Sequence, residues 1–245
     1  VREATHPLAL VTGGSGGIGG IVARHLGRLG YGVVVHCHRH PALAHEVVAA
    51  LTAGGHSGWV LGADLSIERE AVGLFAQIDD LRAPLAIVVH AAGSLDDRRL
   101  SRLDEAAWDG VVGSNLKSAW LVTREAGLRM VARRDGHILL VASIAGVRGR
   151  IGQANYAAAK AGVLGFTKAA ARELGPSGVR VNAVIPGFLP TPMTAGVSEA
   201  AVEVARRDNV LGHFSNLDEV AGTIAHLATT QHVSGQVFNL DSRIL

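Results

Sequence analysis

Apolar residues along the chain fall into short, nearly unbroken runs separated by longer segments of mixed polarity. The runs lie at 8–11 (LALV), 31–36 (YGVVVH), 57–62 (SGWVLG), 84–89 (PLAIVV), 137–142 (HILLVA), 179–185 (VRVNAVI) and 236–240 (QVFNL). Such short apolar runs predict buried strands. Between them, helical patterns follow the glycine-rich segment 13–19, cover 41–53, begin near 67, span about 104–133 and start again at 154. Strand and helix in alternation predict an α/β fold, a doubly wound parallel sheet of about seven strands with helices on both faces. No repeat, low-complexity tract or linker interrupts the pattern, so one domain over 1–245 is expected.

Right-handed crossovers would align the C-terminal ends of the strands along one crevice. Residues 13–19, Arg39, Asp64, Ala92, Ser143 and the pair Pro186-Gly187 each follow a strand, so they are expected to meet there.

The first of these segments, TGGSGGIGG, joins a buried strand to an amphipathic helix. Gly13, Gly17 and Gly19, with Ser15, Gly16 and Ile18 between them, would bring backbone N–H groups and the positive end of the helix dipole to a phosphate. The spacing G-x-x-x-G-x-G is wider than the common dinucleotide fingerprint. A merely flexible turn is the competing reading, and the position between strand and helix favours a Rossmann-type nucleotide site. At the end of the second strand, an acid would bind a ribose hydroxyl and select NAD. The sequence there is His36-Cys37-His38-Arg39-His40, without an acid. Arg39, helped by His38, suits a 2′-phosphate, so NADP is expected over NAD; a solvated basic loop is the alternative. Asp64, followed by Leu65, would accept from an adenine amino group or cap the helix beginning near Ile67. The small residues Ala91, Ala92 and Gly93 would let the adenosine side of a cofactor lie across the strand ends.

Tyr156 and Lys160 are four residues apart in an alanine-rich helical segment and would share one helix face. An ammonium beside a phenol favours phenolate, which predicts a lowered Tyr156 pKa and a proton donor or acceptor near working pH. Ser143, at the mouth of a strand, could hold a carbonyl oxygen beside the tyrosine hydroxyl. Asn115 sits inside the long helical segment, where its side chain competes for backbone groups; it is expected to bend the helix and trap a water. Residues 188–217, with Pro190 and Pro192, read as a flap over the site.

Composition narrows the partners. The chain of 245 residues is 48% hydrophobic and carries one cysteine, Cys37, which excludes an internal disulfide framework and a multi-cysteine metal site. The net charge of +2, without a long Lys/Arg run, argues against nucleic acid. No apolar run is long enough for a membrane span, and VREATHPLALVTGG lacks the signal-peptide pattern, so a cytoplasmic protein is expected. The 12 histidines are scattered and are expected mostly on the surface or in loops; no metal is expected.

TGGSGGIG, Asp64, Asn115, Ser143 and the Tyr156/Lys160 pair, in this order and spacing, resemble the short-chain dehydrogenase/reductases over nearly the whole chain. GQANYAAAKAGVLGFTKAAARELGPSGVRVNAVIPGF is most similar to the β-ketoacyl-acyl-carrier-protein reductases of fatty acid and polyketide synthesis. The resemblance implies NADPH, a homotetramer or homodimer, and reduction of a 3-oxoacyl thioester on an acyl carrier protein. It makes Tyr156 the general acid, Lys160 the group that lowers its pKa and holds the ribose hydroxyls, and Ser143 the orienter of the carbonyl. It makes Asn115 the holder of a water linked to Lys160. Gly16 stands where NADP-dependent relatives often carry a basic residue, and HAAG replaces the usual NNAG. HAAG followed by Leu95-Asp96-Asp97 is similar to ketoreductase domains of modular polyketide synthases, and Ser242-Arg243 replaces a Gly-Gly pair in the tail. Arg133, Arg134 and Arg172 are candidates for docking an acidic carrier protein. The same residues also admit reduction of a free ketone, quinone or alcohol, or a non-catalytic cofactor-binding protein.

Overall fold

The computed structural model describes residues 4–191, 194 and 196–244. Among them, β1 (Leu8–Thr12), β2 (Gly32–Cys37), β3 (Gly58–Gly62), β4 (Leu85–His90), β5 (Gly136–Val141), β6 (Val179–Ile185) and β7 (Val237–Asn239) form one sheet. Its order is β3-β2-β1-β4-β5-β6-β7, and every neighbouring pair is parallel. The chain runs outward from β1 to β3, returns to β4 beside β1, and continues the other way. This reversal opens a crevice at the C-terminal ends of β1 and β4.

The helices are α1 (Gly17–Arg28), α2 (Pro41–Ala53), α3 (Glu68–Asp79), α4 (Glu105–Val112), α5 (Ser118–Arg133), α6 (Ala145–Arg148), α7 (Ala154–Leu174), α8 (Glu199–Arg207) and α9 (Leu217–Thr229). Helices α1, α2 and α9 cover one face of the sheet, and α3, α5 and α7 cover the other. Alternation along β2 explains both cores. Val33 and Val35 point toward Val22, Leu26, Val47 and Leu51, while Val34 points to the face that holds Leu74, Phe75 and Met130. Local chemistry sets the helix starts. Pro41 opens α2, the Asp104 carboxylate accepts from the Ala107 N–H at 2.8 Å ahead of α4, and Asn216 caps α9.

One expectation needs correction. The segment 104–133 is not one regular helix: α4 and α5 are joined by a single wide π turn at Gly113–Lys117, centred on Asn115. The Asn115 Nδ2 donates to the Val111 carbonyl at 2.9 Å, competing with the backbone for that acceptor and widening the turn instead of breaking the helix. Most of the 12 histidines are exposed or partly exposed, as expected, while His36, His90 and His137 are buried within β2, β4 and β5. A strand covered on both faces buries whatever it carries. No helix among the described residues is long and apolar enough to cross a membrane.

Candidate active site

The crevice is built on the loop after β1. Gly13 has φ +64°, and a Cβ there would lie 2.9 Å from the Ala92 backbone, so only glycine lets the loops after β1 and β4 approach this closely. At the start of α1, Gly16 occupies the cap position, no side chain caps the helix, and the first turn holds no acid. The N-terminal N–H groups of α1, around Gly17, Ile18 and Gly19, therefore suit an anion. The Thr191 side chain lies over Gly17, bringing the first part of the flap onto this loop.

Two buried histidines, whose cross-linking role the sequence pattern alone did not show, tie these loops together. The Gly13 N–H donates to His36 Nδ1 at 3.3 Å, and His36 Nε2 donates to the Ala63 carbonyl at 3.0 Å. His36 thus links the glycine loop to the loop after β3. Ser118 gives its one proton to the Ser114 carbonyl at 2.6 Å, so His90 Nε2 donates to Ser118 Oγ at 3.1 Å. His90 Nδ1 then accepts from the Thr12 hydroxyl at 2.9 Å, while Thr12 Oγ1 accepts from the Ala92 N–H. Burial lowers the pKa of His36 to about 4 and that of His90 to about 3. Both rings are neutral, with both nitrogens used. The signal available in the sequence was their place at the ends of valine-rich strands.

Beyond β2, His38 and Arg39 are exposed. His38 Nε2 lies 3.8 Å from Asp64 Oδ2, and the Arg39 guanidinium makes no ion pair among the described residues. Asp64 does not cap α3. Its Oδ1 accepts from the Ser66 N–H at 2.9 Å and the Ser66 hydroxyl at 2.7 Å, closing a tight turn, and Ile67 takes the cap position. Partial burial pushes the Asp64 pKa up, but the Ser66 hydrogen bonds, with His38 and Arg39 nearby, hold it below the usual value. The Leu65 side chain is buried in the core, so only its backbone faces the crevice.

At the end of β4, Ala91, Ala92 and Gly93 pass in front of Asn115, and a Cβ on Gly93 would run into Asn115 Oδ1. The Asn115 Nδ2 also donates to the Ser94 carbonyl at 2.8 Å, and its buried Oδ1 has no hydrogen-bond partner among the described residues. Beyond β5, Ser143 Oγ accepts from the Ala145 N–H at 3.2 Å. On α7, the Lys160 ammonium is buried, donates to the Val141 carbonyl at 2.7 Å and lies 5.6 Å from the centre of the Tyr156 ring. Burial lowers the Lys160 pKa to about 8.

The expected lowering of the Tyr156 pKa is not found. Burial raises it, the Ser143 hydroxyl pulls it back only in part, and the Asp97 carboxylate adds to the rise. Lys160 is not among the groups that shift it; its ammonium donates to the Val141 carbonyl.

Pro186 and Gly187 follow β6, with the Asp241 side chain packed against Gly187. In the tail, Arg243 Nε donates to Asp241 Oδ2 at 2.5 Å and Ser242 Oγ to Asn209 Oδ1 at 3.1 Å, so the residues replacing a Gly-Gly pair stitch β7 to the end of α8. Arg148 reaches Asp208 at 3.5 Å and also bonds the Ile244 carbonyl. In the flap, the Phe188 and Phe214 rings lie 4.7 Å apart and α8 has no buried residue. Pro192 lies outside the described residues.

Arg133, Arg134 and Arg172 are not near this crevice. Arg133 donates to the Leu85 carbonyl at the start of β4, and Arg134 to the Pro176 carbonyl ahead of β6. Both lie at the opposite, N-terminal end of the strands, and Arg172 is in the last turn of α7.

The short chain dehydrogenase family model matches residues 7–201. The chain belongs to the short-chain dehydrogenases. Within this family it is 38% identical to a 3-oxoacyl-acyl-carrier-protein reductase from Synechocystis sp., over 97% of this chain and 96% of the relative. It is 37% identical to an acetoacetyl-CoA reductase from Allochromatium vinosum, over 90% of each. A solved actinorhodin polyketide ketoreductase variant with NADPH superimposes with a TM-score of 0.89 at 30% identity, covering 99% of this chain and 98% of that one.

Proposed function

We propose that this short-chain dehydrogenase reduces the 3-oxo group of an acyl thioester on an acyl carrier protein to the 3-hydroxy form, with NADPH as reductant. One juxtaposition carries the reading: Ser143, Tyr156 and Lys160 gather beyond the C-terminal end of β5, on the same side of the sheet as the uncapped start of α1 that follows β1. The relatives named for this reaction, and the NADPH-bearing ketoreductase of the same fold, support it.

Bound NADPH would supply the hydride. Gly13, Ser15, Gly16, Gly17, Ile18 and Gly19 would cradle its pyrophosphate, and Arg39 with His38 its 2′-phosphate. Asp64 would take the adenine amino group, with Leu65 backbone, Ala91, Ala92, Gly93, Pro186 and Gly187 lining the rest. Tyr156, protonated at neutral pH, donates its proton to the carbonyl oxygen as that oxygen gains charge. Ser143 donates a hydrogen bond to the same oxygen. Lys160 would hold the ribose hydroxyls and return a proton to Tyr156, and the free Asn115 Oδ1 would hold the water that resupplies it.

Exposed Trp108, Trp120 and Leu128 on α4 and α5 support assembly as a homotetramer or homodimer, and the reaction is taken to run in the cytoplasm. The acetoacetyl-CoA reductase relative favours a second reading, in which the thioester is carried on coenzyme A. The test is NADPH oxidation with acetoacetyl-carrier protein, acetoacetyl-CoA and a free ketone side by side. A higher kcat/KM on the carrier substrate supports the first reading; preference for the CoA thioester or the free ketone overturns it.

A further inference from the structure

The two loops that flank the catalytic tyrosine form an open groove of about 630 Å³, lined by residues 99–101, 150–152 and Ala154. Its last lining residue lies two positions before Tyr156. The loops are stitched together beneath it. Arg98 and Gln153 pair in a parallel bridge, Gln153 Nε2 donates to Asp97 at 2.8 Å, and Asn155 Nδ2 donates to the Asp96 carbonyl at 3.1 Å. The groove is therefore a preformed surface.

Its chemistry is unusual for an exposed loop. Leu100 is 75% exposed and Ile151 is 89% exposed, the largest exposure among the large hydrophobics of the described residues. Arg99 and Arg150 are exposed beside them, and neither guanidinium makes an ion pair or hydrogen bond among the described residues. Their neighbours differ: Arg98 is held by Asp96 and Asp104, and Arg148 by Asp208. No acid lines the groove. Two unneutralised cations around a small apolar patch suit a partner that is acidic and also presents apolar surface. A second copy docked face to face would set these arginines against one another.

We infer that the groove of Arg99, Leu100, Arg150 and Ile151 is where an acidic acyl carrier protein docks. The inference rests on the carrier-protein reading above and gives it an address. Distance favours this address over the arginines at the far end of the strands. Arg172 is sixteen residues along α7 from Tyr156, about 24 Å of helix, whereas the groove begins at the tyrosine's own end of that helix.

The test compares acetoacetyl-carrier protein with acetoacetyl-N-acetylcysteamine, a small thioester that needs no docking, in the wild type and an Arg99→Glu/Arg150→Glu variant. The groove predicts a KM for the carrier substrate raised at least tenfold, with kcat and small-thioester turnover within about twofold of wild type. It also predicts a weaker salt dependence and an unchanged elution volume in gel filtration. A wild type that prefers the carrier, with a variant that keeps the preference, overturns the groove and leaves the proposed reaction standing; a matching loss in Arg133→Glu/Arg172→Glu would then move docking to the far end of the strands. A changed elution volume makes the face an interface between copies and also overturns the inference. A wild type without carrier preference removes the carrier reading and the docking site together.

Discussion

The three buried histidines make the fold sensitive to mild acid. His36, His90 and His137 have pKa values of about 4, about 3 and about 4, each lowered mainly by burial. The unfolded chain would bind these protons near pH 6.5. Because the folded values are depressed, the unfolded state holds more protons as pH falls, so the histidine contribution is fully present above about pH 7.5 and is lost as pH falls from about 6.5 through the folded values of about 4 and about 3. At pH 5.5 each histidine costs between about 1 and 2 kcal/mol, and the three together about 4 kcal/mol. Against a typical total of about 5–15 kcal/mol, that is a large fraction. The carboxylates with depressed values, Asp64 and Asp104, act only at lower pH, so the window separates the two classes. Urea unfolding followed by tryptophan fluorescence at pH 8 and pH 5.5 reads the difference directly. A His137→Gln variant should lose about a third of the pH dependence. Equal extrapolated stabilities at the two pH values, within about 1 kcal/mol, would refute the reasoning.

Tyr156→Phe should lower kcat for reduction by about 10²- to 10⁴-fold, the usual worth of a positioned general acid, with NADPH affinity by fluorescence titration within about threefold. Arg39→Ala should raise the Kd for NADPH by about 10- to 100-fold, the loss of a charge-assisted hydrogen bond, and leave NADH binding unchanged; isothermal titration with both cofactors checks this. Lys160 has its pKa lowered to about 8, so the rate of reduction should be level through neutral pH and decline above about 8 as the ammonium is lost. A pH profile of kcat level to pH 10 would rule out that role.

Much of the site was legible because its signals are local. A glycine run between a buried strand and a helix, and a tyrosine four residues before a lysine in an alanine-rich helix, state their geometry through backbone periodicity alone. The strand C-terminal positions of Arg39, Asp64, Ala92 and Ser143 then followed from the handedness of the crossovers. The exposed Arg39 was also readable, because no acid follows β2.

What tertiary structure decided is whatever depends on packing between distant segments. His36 was legible only as the last residue of a strand and the first of three alternating histidines; only the placement of Ala63 and Gly13 around it makes it a buried, neutral cross-link. The Tyr156 pKa rises instead of falling because desolvation is set by everything packed around the phenol, while the i,i+4 spacing reports only where Lys160 starts, not that its ammonium ends on the Val141 carbonyl. Arg133, Arg134 and Arg172 share a charge with Arg99 and Arg150, but the run of α5 and α7 along the strands carries the first group to their N-terminal end, while the loops after β4 and α6 keep the second beside the tyrosine. Sequence periodicity determines which residues share an element's face; distance, dielectric and the choice of partner arise when those faces close on one another.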